Sequence, residues 1–315
     1  MDEKLISIII AARNGALRIK NCLDSISHLH YSNYEVIVVN DGSTDKTQEI
    51  LNGYQNIKVI NTLGLGPSGA RNLAIKEARG EFIAFTDADC LVDPEWLNAL
   101  ISGFNDQAIA GTGGLQLSPV DDSPFGKNVQ GFFEIFGFVS DYMKSGKAHR
   151  QVEHNPTCNS MYRKSVLLEM DGFHAGLWPG EDVELDYRIR KKRYLLGFTP
   201  KAIVFHYRAS NYKKFAKMIF RYGLAQGWLV KRYGFFRPIQ LIPIFSIILC
   251  LLLLFNVFWF ALLIVLLFSV ILVKSIRMQK DPSSMLFLFV LAVFAWNLGF
   301  FSSLPLQEIY PPVKT

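Results

Sequence analysis

The chain opens with short apolar runs set between stretches of mixed polarity. Residues 5–11 (LISIIIA) read as a buried strand, broken by Arg13, Asn14 and Gly15, and residues 17–29 then have helical periodicity. Residues 34–39 (YEVIVV) form the next strand. Asn40 to Asp45 is a turn with a ready helix cap, and residues 46–54 follow as a helix. A third strand covers 57–60, a helix 71–78 and a fourth strand 82–85. Strands alternating with helices at these lengths predict βαβ units and a parallel sheet, an α/β fold. Further on, Asp93 and Pro94 open a helix that includes 96–104. A glycine-rich strand spans 109–117, and 121–126 is a loop. Residues 128–142 are aromatic-rich (Phe132, Phe133, Phe136, Phe138, Tyr142), a helix for core packing or one near a bilayer or acceptor groove. Residues 155–162 (NPTCNSMY) line a pocket, 166–170 form a short helix, helical periodicity runs on from Gly180 through Ile189, and 201–206 (KAIVFH) is a strand.

The pattern then changes. Residues 211–233 alternate basic and aromatic side chains, with apolar positions 215, 218, 219 and 222 on one helical face, as in a helix lying in a lipid headgroup layer. Residues 238–273 are almost wholly apolar. At roughly 20 residues per span this is too long for one helix and suits two short ones turning near Asn256. A third span follows at 285–304; the alternative is two spans, one of them long and tilted. The expected division is a catalytic domain at 1–210, an interfacial helix at 211–237, spans at 238–255, 257–273 and 285–304, and a tail at 306–315.

Composition sharpens this picture. The chain has 315 residues and a net charge of +6, which hides an asymmetry. Residues 1–186 carry 15 Lys and Arg against 25 Asp and Glu, and 187–280 contain no acid at all. Basic residues running up to an apolar tail suggest anionic lipid headgroups, and the tail argues against nucleic acid as the partner. The basic run and the loop KSIRMQK fall on one side of a hairpin. Positive loops stay in the cytoplasm, which gives a multi-pass membrane protein with a cytoplasmic catalytic domain. The N-terminus MDEKLISIII lacks the features of a signal peptide, and the four cysteines lack disulfide-framework or zinc spacing, so a reducing compartment is expected.

Candidate chemistry sits at strand ends. The fourth strand runs into Asp87 and Asp89, with Ala88 between them. Ligands of open α/β sheets bind at such carboxyl ends, and two carboxylates at this spacing reach one hard divalent cation that holds a diphosphate. Asp41 stands at the end of its own strand, placed for a base edge or ribose hydroxyls, and Arg71 suits a phosphate. Turn formation for Asp41, helix capping for the acid pair and a solvated helix position for Arg71 are the plainer readings. Asp182, in the cluster GEDVELD, is either a helix cap or a general base for a sugar hydroxyl. His206 ends a strand, where a neutral imidazole binds metal or phosphate. Gly64, Gly66 and Gly69 match the dinucleotide fingerprint, so a nicotinamide or flavin oxidoreductase is an alternative. A non-catalytic membrane scaffold is another.

Taken in order, SIIIAARN, VVNDGSTD, GPSGARNLAI, FTDADC and GEDVELDYRIRKK followed by VFH resemble the inverting glycosyltransferases of family 2. The resemblance covers about 1–210. It implies a GT-A fold, a Rossmann-like mixed sheet that is mostly parallel, and a nucleotide-diphosphate sugar donor. It implies Asp182 as catalytic base and a donor site at Ala11, Arg13, Asp41, Arg71, Asp87, Ala88 and Glu181. It further implies Mg2+ or Mn2+ at Asp89 and His206, and with the membrane tail a hydroxyl or phosphate acceptor on a membrane lipid, either a lipid-linked glycan or a polyprenyl-phosphate carrier. Ala11 stands where that family often has proline, and Arg193 where it often has glycine.

Overall fold

The structure is a computed structural model that describes residues 3–137 and 149–305. They form two compact units. One comprises the residues up to Pro119 with those from 149 to Tyr207; the other comprises Val120 to 137 with Arg208 to 305.

The first unit is built on one mixed sheet. Its N-terminal half is parallel: β1 (Ile6–Ala12), β2 (Tyr34–Asp41), β3 (Ile57–Thr62) and β4 (Phe82–Asp87) lie in the order β3-β2-β1-β4. β-branched side chains fill β1 and β2, and Ile8, Ile9, Ile10, Val38 and Val39 are completely buried, as strands covered on both faces require. Helices α1 (Ile19–Ser27), α2 (Thr47–Leu51) and α3 (Gly66–Glu77) are the crossovers. In register, Ala11 lies between Val39 and Asp87, so the carboxyl ends of β2 and β4 share one edge.

The rest of that sheet is joined differently. β5 (Cys90–Val92), β6 (Ile109–Leu117), β7 (Arg150–Val152), β8 (Ser160–Arg163) and β9 (Leu195–His206) extend it as β4-β8-β6-β9-β5, with β7 also on β9. Only β6–β9 is parallel among these new pairings; β4–β8, β6–β8, β5–β9 and β7–β9 are antiparallel. The stretch expected to open a helix at Asp93 is thus preceded by a short strand, and α4 (Trp96–Ser102) starts after it. The glycines of β6 have a steric reason: a Cβ on Gly114 would overlap the Ala202 carbonyl of β9. Helices α6 (Lys164–Glu169) and α7 (Glu181–Lys191) complete the unit. After α7, Arg193 holds a φ of +67°, the left-handed conformation that suits glycine at a helix end.

The second unit is helical: α5 (Pro124–Phe136), α8 (Tyr212–Tyr233), α9 (Ile242–Phe255), α10 (Val257–Arg277) and α11 (Pro282–Ser303). α5 starts earlier than its aromatic pattern suggests, because Ser123 caps it and Pro124 fills its first turn. Phe138 and Tyr142 lie outside the described residues. Phe132 is buried and meets Phe215 of α8 edge-on. Close approach of α8 and α11 depends on glycine: a Cβ on Gly223, Gly227 or Gly299 would overlap atoms of the facing helix. The apolar face of α8, with Phe215 and Ile219 buried, is thereby covered by protein. Three helices, Pro238–Phe255, Val257–Arg277 and Pro282–Ser303, are long and apolar enough to cross a membrane, with mean hydropathy 2.5, 2.7 and 2.1. The first two are separated by Asn256, whose side chain caps α10.

Candidate active site

One buried guanidinium organises the acids. Arg71 of α3 is 4% exposed; Nη2 donates to Asp87 Oδ1 (2.9 Å) and Nη1 to Glu181 Oε1 (2.6 Å). α3, β4 and α7 are thus joined through one side chain in a two-pronged, charge-assisted geometry. Burial, then the neighbouring Asp182 carboxylate, push Glu181 up to about 8 against the pull of Arg71. Burial is the larger cause, and the charges add to it: among the described residues Arg71 pairs with both Asp87 and Glu181 while Asp182 stands beside them. Each terminal nitrogen of Arg71 donates one hydrogen bond to an acid, and Glu181 is buried against it. In the structure these two residues, expected on the nucleotide, tie α3, β4 and α7 together.

Beyond Asp87 the chain turns through Ala88 to Asp89. The β5–β9 register sets Cys90 opposite His206. Asp87, Asp89 and His206 therefore converge, each offering a ligand atom within 4.8 Å of the others, and His206 Nε2 lies 3.6 Å from Asp89 Oδ1. Burial opposes charge on His206, but Asp89, with the Cys158 thiol, outweighs it and raises the imidazole to about 10. Two carboxylates and an imidazole are a donor set for a divalent cation such as Mg2+ or Mn2+. The residues present fit such a cation.

The other expected donor residues share this sheet edge. The loop after β1 is laced to the loop after β2: Thr44 N donates to Asn14 Oδ1 (2.8 Å), Gly15 N to Thr47 Oγ1 (2.9 Å) and Ala16 N to Asp45 Oδ2 (3.1 Å). That lacing places the exposed Arg13 beside Gly64, and Gly15 against Ala88. Asp41 is at the edge but is engaged. Its Oδ1 accepts from Thr62 Oγ1 and Leu65 N (both 2.6 Å), and its Oδ2 from Gly66 N (2.8 Å). These bonds tie the end of β2 to Thr62 of β3 and to the start of α3. The same bonds explain why α3 begins at Gly66, five residues before the expected start.

Asp182 lies in the first turn of α7 beside Glu181. The N-cap is Gly180, at φ +101°, so Asp182 is not the cap. Its Oδ1 accepts from Val183 N (2.8 Å) and its Oδ2 weakly from Thr157 N (3.4 Å), and the side chain is 18% exposed. His154 Nε2 stands 3.8 Å from the same Oδ2. One turn further along α7, the fully buried Asp186 bonds His154 Nδ1 (2.9 Å), Asn155 N (2.7 Å) and Tyr162 OH (2.8 Å).

The match to known proteins follows this geometry. Residues 7–170 match the model of "Glycosyl transferase family 2". The chain belongs to glycosyl transferase family 2. It is 31% identical to glycosyltransferase AglE of Haloferax volcanii over 253 residues, 75% of this chain and 78% of that one. It is 26% identical over 322 residues, 95% of this chain and 97% of the other, to a Methanococcus voltae enzyme. That relative is a dolichyl N-acetyl-alpha-D-glucosaminyl phosphate 3-beta-D-2,3-diacetamido-2,3-dideoxy-beta-D-glucuronosyltransferase. Among solved structures it resembles the mannosyltransferase PcManGT of Pyrobaculum calidifontis, in complex with GDP-Man and Mn2+, at TM-score 0.64 and 18% identity. That match covers 95% of this chain and 88% of the other and shows the fold alone, a mixed α/β sheet of GT-A type.

In this glycosyltransferase the dinucleotide fingerprint has another meaning. Gly69 lies inside α3, and the amides of Leu65 and Gly66, at the helix start where a pyrophosphate would sit, are bonded to Asp41. Residues missed in the sequence surround Asp182 and His206. His154 and Asp186 flank the former, and the Cys90 and Cys158 thiols come within 4.8 Å of the latter's imidazole. The spacing of Asp182 and Asp186, four apart on a helix, was the one available signal. A surface groove of about 430 Å3 at the other end of β2 and β3 is not part of this site; its Lys58–Glu77 and Arg79–Glu35 charges are paired among themselves.

Proposed function

We propose that this glycosyltransferase moves a sugar, with inversion, from a nucleoside-diphosphate donor to a hydroxyl of a lipid-linked acceptor at the membrane. The observation that carries the reading is the convergence of Asp87, Asp89 and His206 at one strand end, joined through Arg71 and Glu181 to the turn that bears Asp182. Asp89 and His206, with Asp87, hold the cation, which supplies neutralisation of charge on the departing diphosphate. Ala11, Arg13 and Ala88 line the donor side, whose wall Asp41 fixes. Asp182 accepts the proton of the acceptor hydroxyl as that oxygen attacks the anomeric carbon from the face opposite the diphosphate. Arg71 and Glu181 keep the donor end and the base at a fixed separation.

The name of the Methanococcus voltae relative supports a polyprenyl-linked acceptor. The basic residues of α8 and those between α10 and α11 (Lys274, Arg277, Lys280) fall on one side of three spans, which supports a cytoplasmic catalytic domain. The test is a thermal-shift panel on the full chain in detergent. UDP- or GDP-sugars with Mn2+ should raise the melting temperature. A rise with NAD(P) or flavin would turn the reading to a dehydrogenase, and no rise with any nucleotide would turn it to a scaffold. Asp182→Asn should then abolish transfer and keep the donor-induced shift; loss of both would remove the base assignment.

A further inference from the structure

His206 stands between two donor sets. On one side are the Asp87 and Asp89 carboxylates. On the other are the Cys90 and Cys158 thiols, whose Sγ atoms lie within 4.8 Å of each other and of a ring nitrogen of His206. Two elements build the thiol side. Cys90 and His206 are directly opposed in the antiparallel β5–β9 pair, so their side chains leave the same face of the sheet. Cys158 comes from the 3-10 turn Thr157–Asn159, which its last residue pins in place. Asn159 Nδ2 donates to the carbonyls of Leu115 and Ala202 (both 2.9 Å), and its Oδ1 accepts from Trp96 Nε1 (2.8 Å). Both cysteines are buried, while the His206 side chain is partly exposed and gives a cation its way in.

The two sets differ in chemistry. Carboxylate oxygens are hard and suit Mg2+ or Mn2+, whereas thiolate sulfur is soft and selects metals such as Zn2+. Two cysteines and one histidine are a three-ligand set that tetrahedral Zn2+ uses with its fourth position open to water. Around such a zinc the sulfur and nitrogen ligands stand roughly 3.5–3.8 Å apart, so this set need draw in by about 1.3 Å at most.

We propose that Cys90, Cys158 and His206 form a second cation site, taking a thiophilic divalent metal such as Zn2+, and that filling it antagonises the cation at Asp87 and Asp89. On binding, each thiol gives its proton to solvent and a sulfur lone pair forms the bond to the metal, with no change of oxidation state. Two dications on one imidazole compete for its nitrogen lone pairs and repel each other, so occupancy of the thiol side weakens the acid side. Divalent affinity rises from Mn2+ to Zn2+, which gives a small amount of zinc leverage over a Mn2+-dependent centre. The antagonism, unlike the site itself, rests on His206 holding the cation of the proposed transferase.

The test uses the full chain in detergent, with a phosphine reductant and Cd2+ as the probe, because cadmium–thiolate bonds absorb in the ultraviolet. Titration should raise that band to a plateau at one Cd2+ per chain, and excess Zn2+ should bleach it. Cys158→Ala should weaken Cd2+ binding by about 10-fold or more. Cys90→Ala should do the same and serves if Cys158→Ala does not fold, while Cys250→Ala, on α9, should change nothing. Mn2+ is then titrated calorimetrically into the metal-free and the Cd2+-loaded chain. Loading should weaken Mn2+ on the order of 10-fold or more. In Cys158→Ala the same Cd2+ should no longer do so, and Mn2+ binding and transfer without Cd2+ should match wild type. A band that is absent, or that survives in both cysteine variants, would overturn the site. Mn2+ affinity that is indifferent to Cd2+, or that Cd2+ lowers equally in Cys158→Ala, would overturn the antagonism. A metal-free chain that binds no Mn2+ would remove the catalytic cation and with it the antagonism, while the band still decides the thiol site.

Discussion

Replacing Arg71 by Met removes the one cation between Asp87 and Glu181 while roughly keeping the side-chain volume. Its side chain is 5% exposed and makes ion pairs of 2.9 and 2.6 Å, so little water can enter to replace it. Deleting one partner of a buried pair costs about 3–5 kcal/mol, because the remaining charge is stranded. At about 2–4 °C per kcal/mol for a domain of this size, the melting temperature should fall by roughly 6–20 °C. The stranded acids escape part of that cost by binding protons. Glu181, already raised to about 8, does so at neutral pH. The loss should therefore be smaller at pH 6 than at pH 9. Adding Glu181→Gln to Arg71→Met should recover part of the difference at pH 9, since one of the stranded carboxylates is then gone. Arg71→Lys should resemble Arg71→Met more than wild type, as an ammonium lacks the fork that spans two acids. Tryptophan-fluorescence melts of the detergent-purified chain read all of this. An Arg71→Met melt within about 1 °C of wild type at both pH values would refute the framework role.

Other consequences are open to equally direct measurement. Glu181 holds its proton more tightly folded than unfolded, so its stabilising contribution is full below the unfolded value near 4.5 and is lost as pH rises through about 8. The melting temperature of Glu181→Gln should gain on wild type across that interval and run parallel above it; a constant difference would contradict the raised value. Because the imidazole of His206 is raised to about 10, a cation must displace its proton, and Mn2+ affinity should strengthen as pH rises toward that value. His206→Ala should flatten that dependence, and Asp89→Ala should weaken Mn2+-dependent donor binding by at least the roughly 10–100-fold that loss of an outer partner costs; titration calorimetry decides. Arg193→Gly relieves a left-handed residue and should stabilise the chain by about 0.5–1 kcal/mol after the added unfolded-state entropy, readable as a small upward shift in the melt.

The parallel half of the sheet was legible because burial on both faces forces long apolar, β-branched runs such as those of β1 and β2. The antiparallel half was not. β5, β7 and β8 are three or four residues long, too short to show any period, and they exist only because β9 and β4 offer edges to pair with. Within β9, Gly197 and Pro200 hide the first half of a twelve-residue strand. The start of α3 was unreadable locally, since it is set by Asp41, 25 residues before Gly66.

The site divides along the same line. Asp87, Asp89 and His206 announce themselves because they sit where strands end, and the chain's own geometry carries them to one sheet edge. The role of Arg71 depends on burial, which no spacing in the chain reveals: the same guanidinium on an exposed helix face would suit a phosphate, and beneath two acids it balances them. That balance ties the two ends of the site together. Glu181 keeps its proton partly because Asp87 and Asp182 both crowd it. Positive charge brought to Asp87 and Asp89 weakens that repulsion and leaves Arg71 more fully shared with α7. Charge at Asp87 and Asp89 and the environment of Asp182 are then coupled through a single buried side chain, so a substitution at Arg71 should disturb both, and one at Asp41 the start of α3.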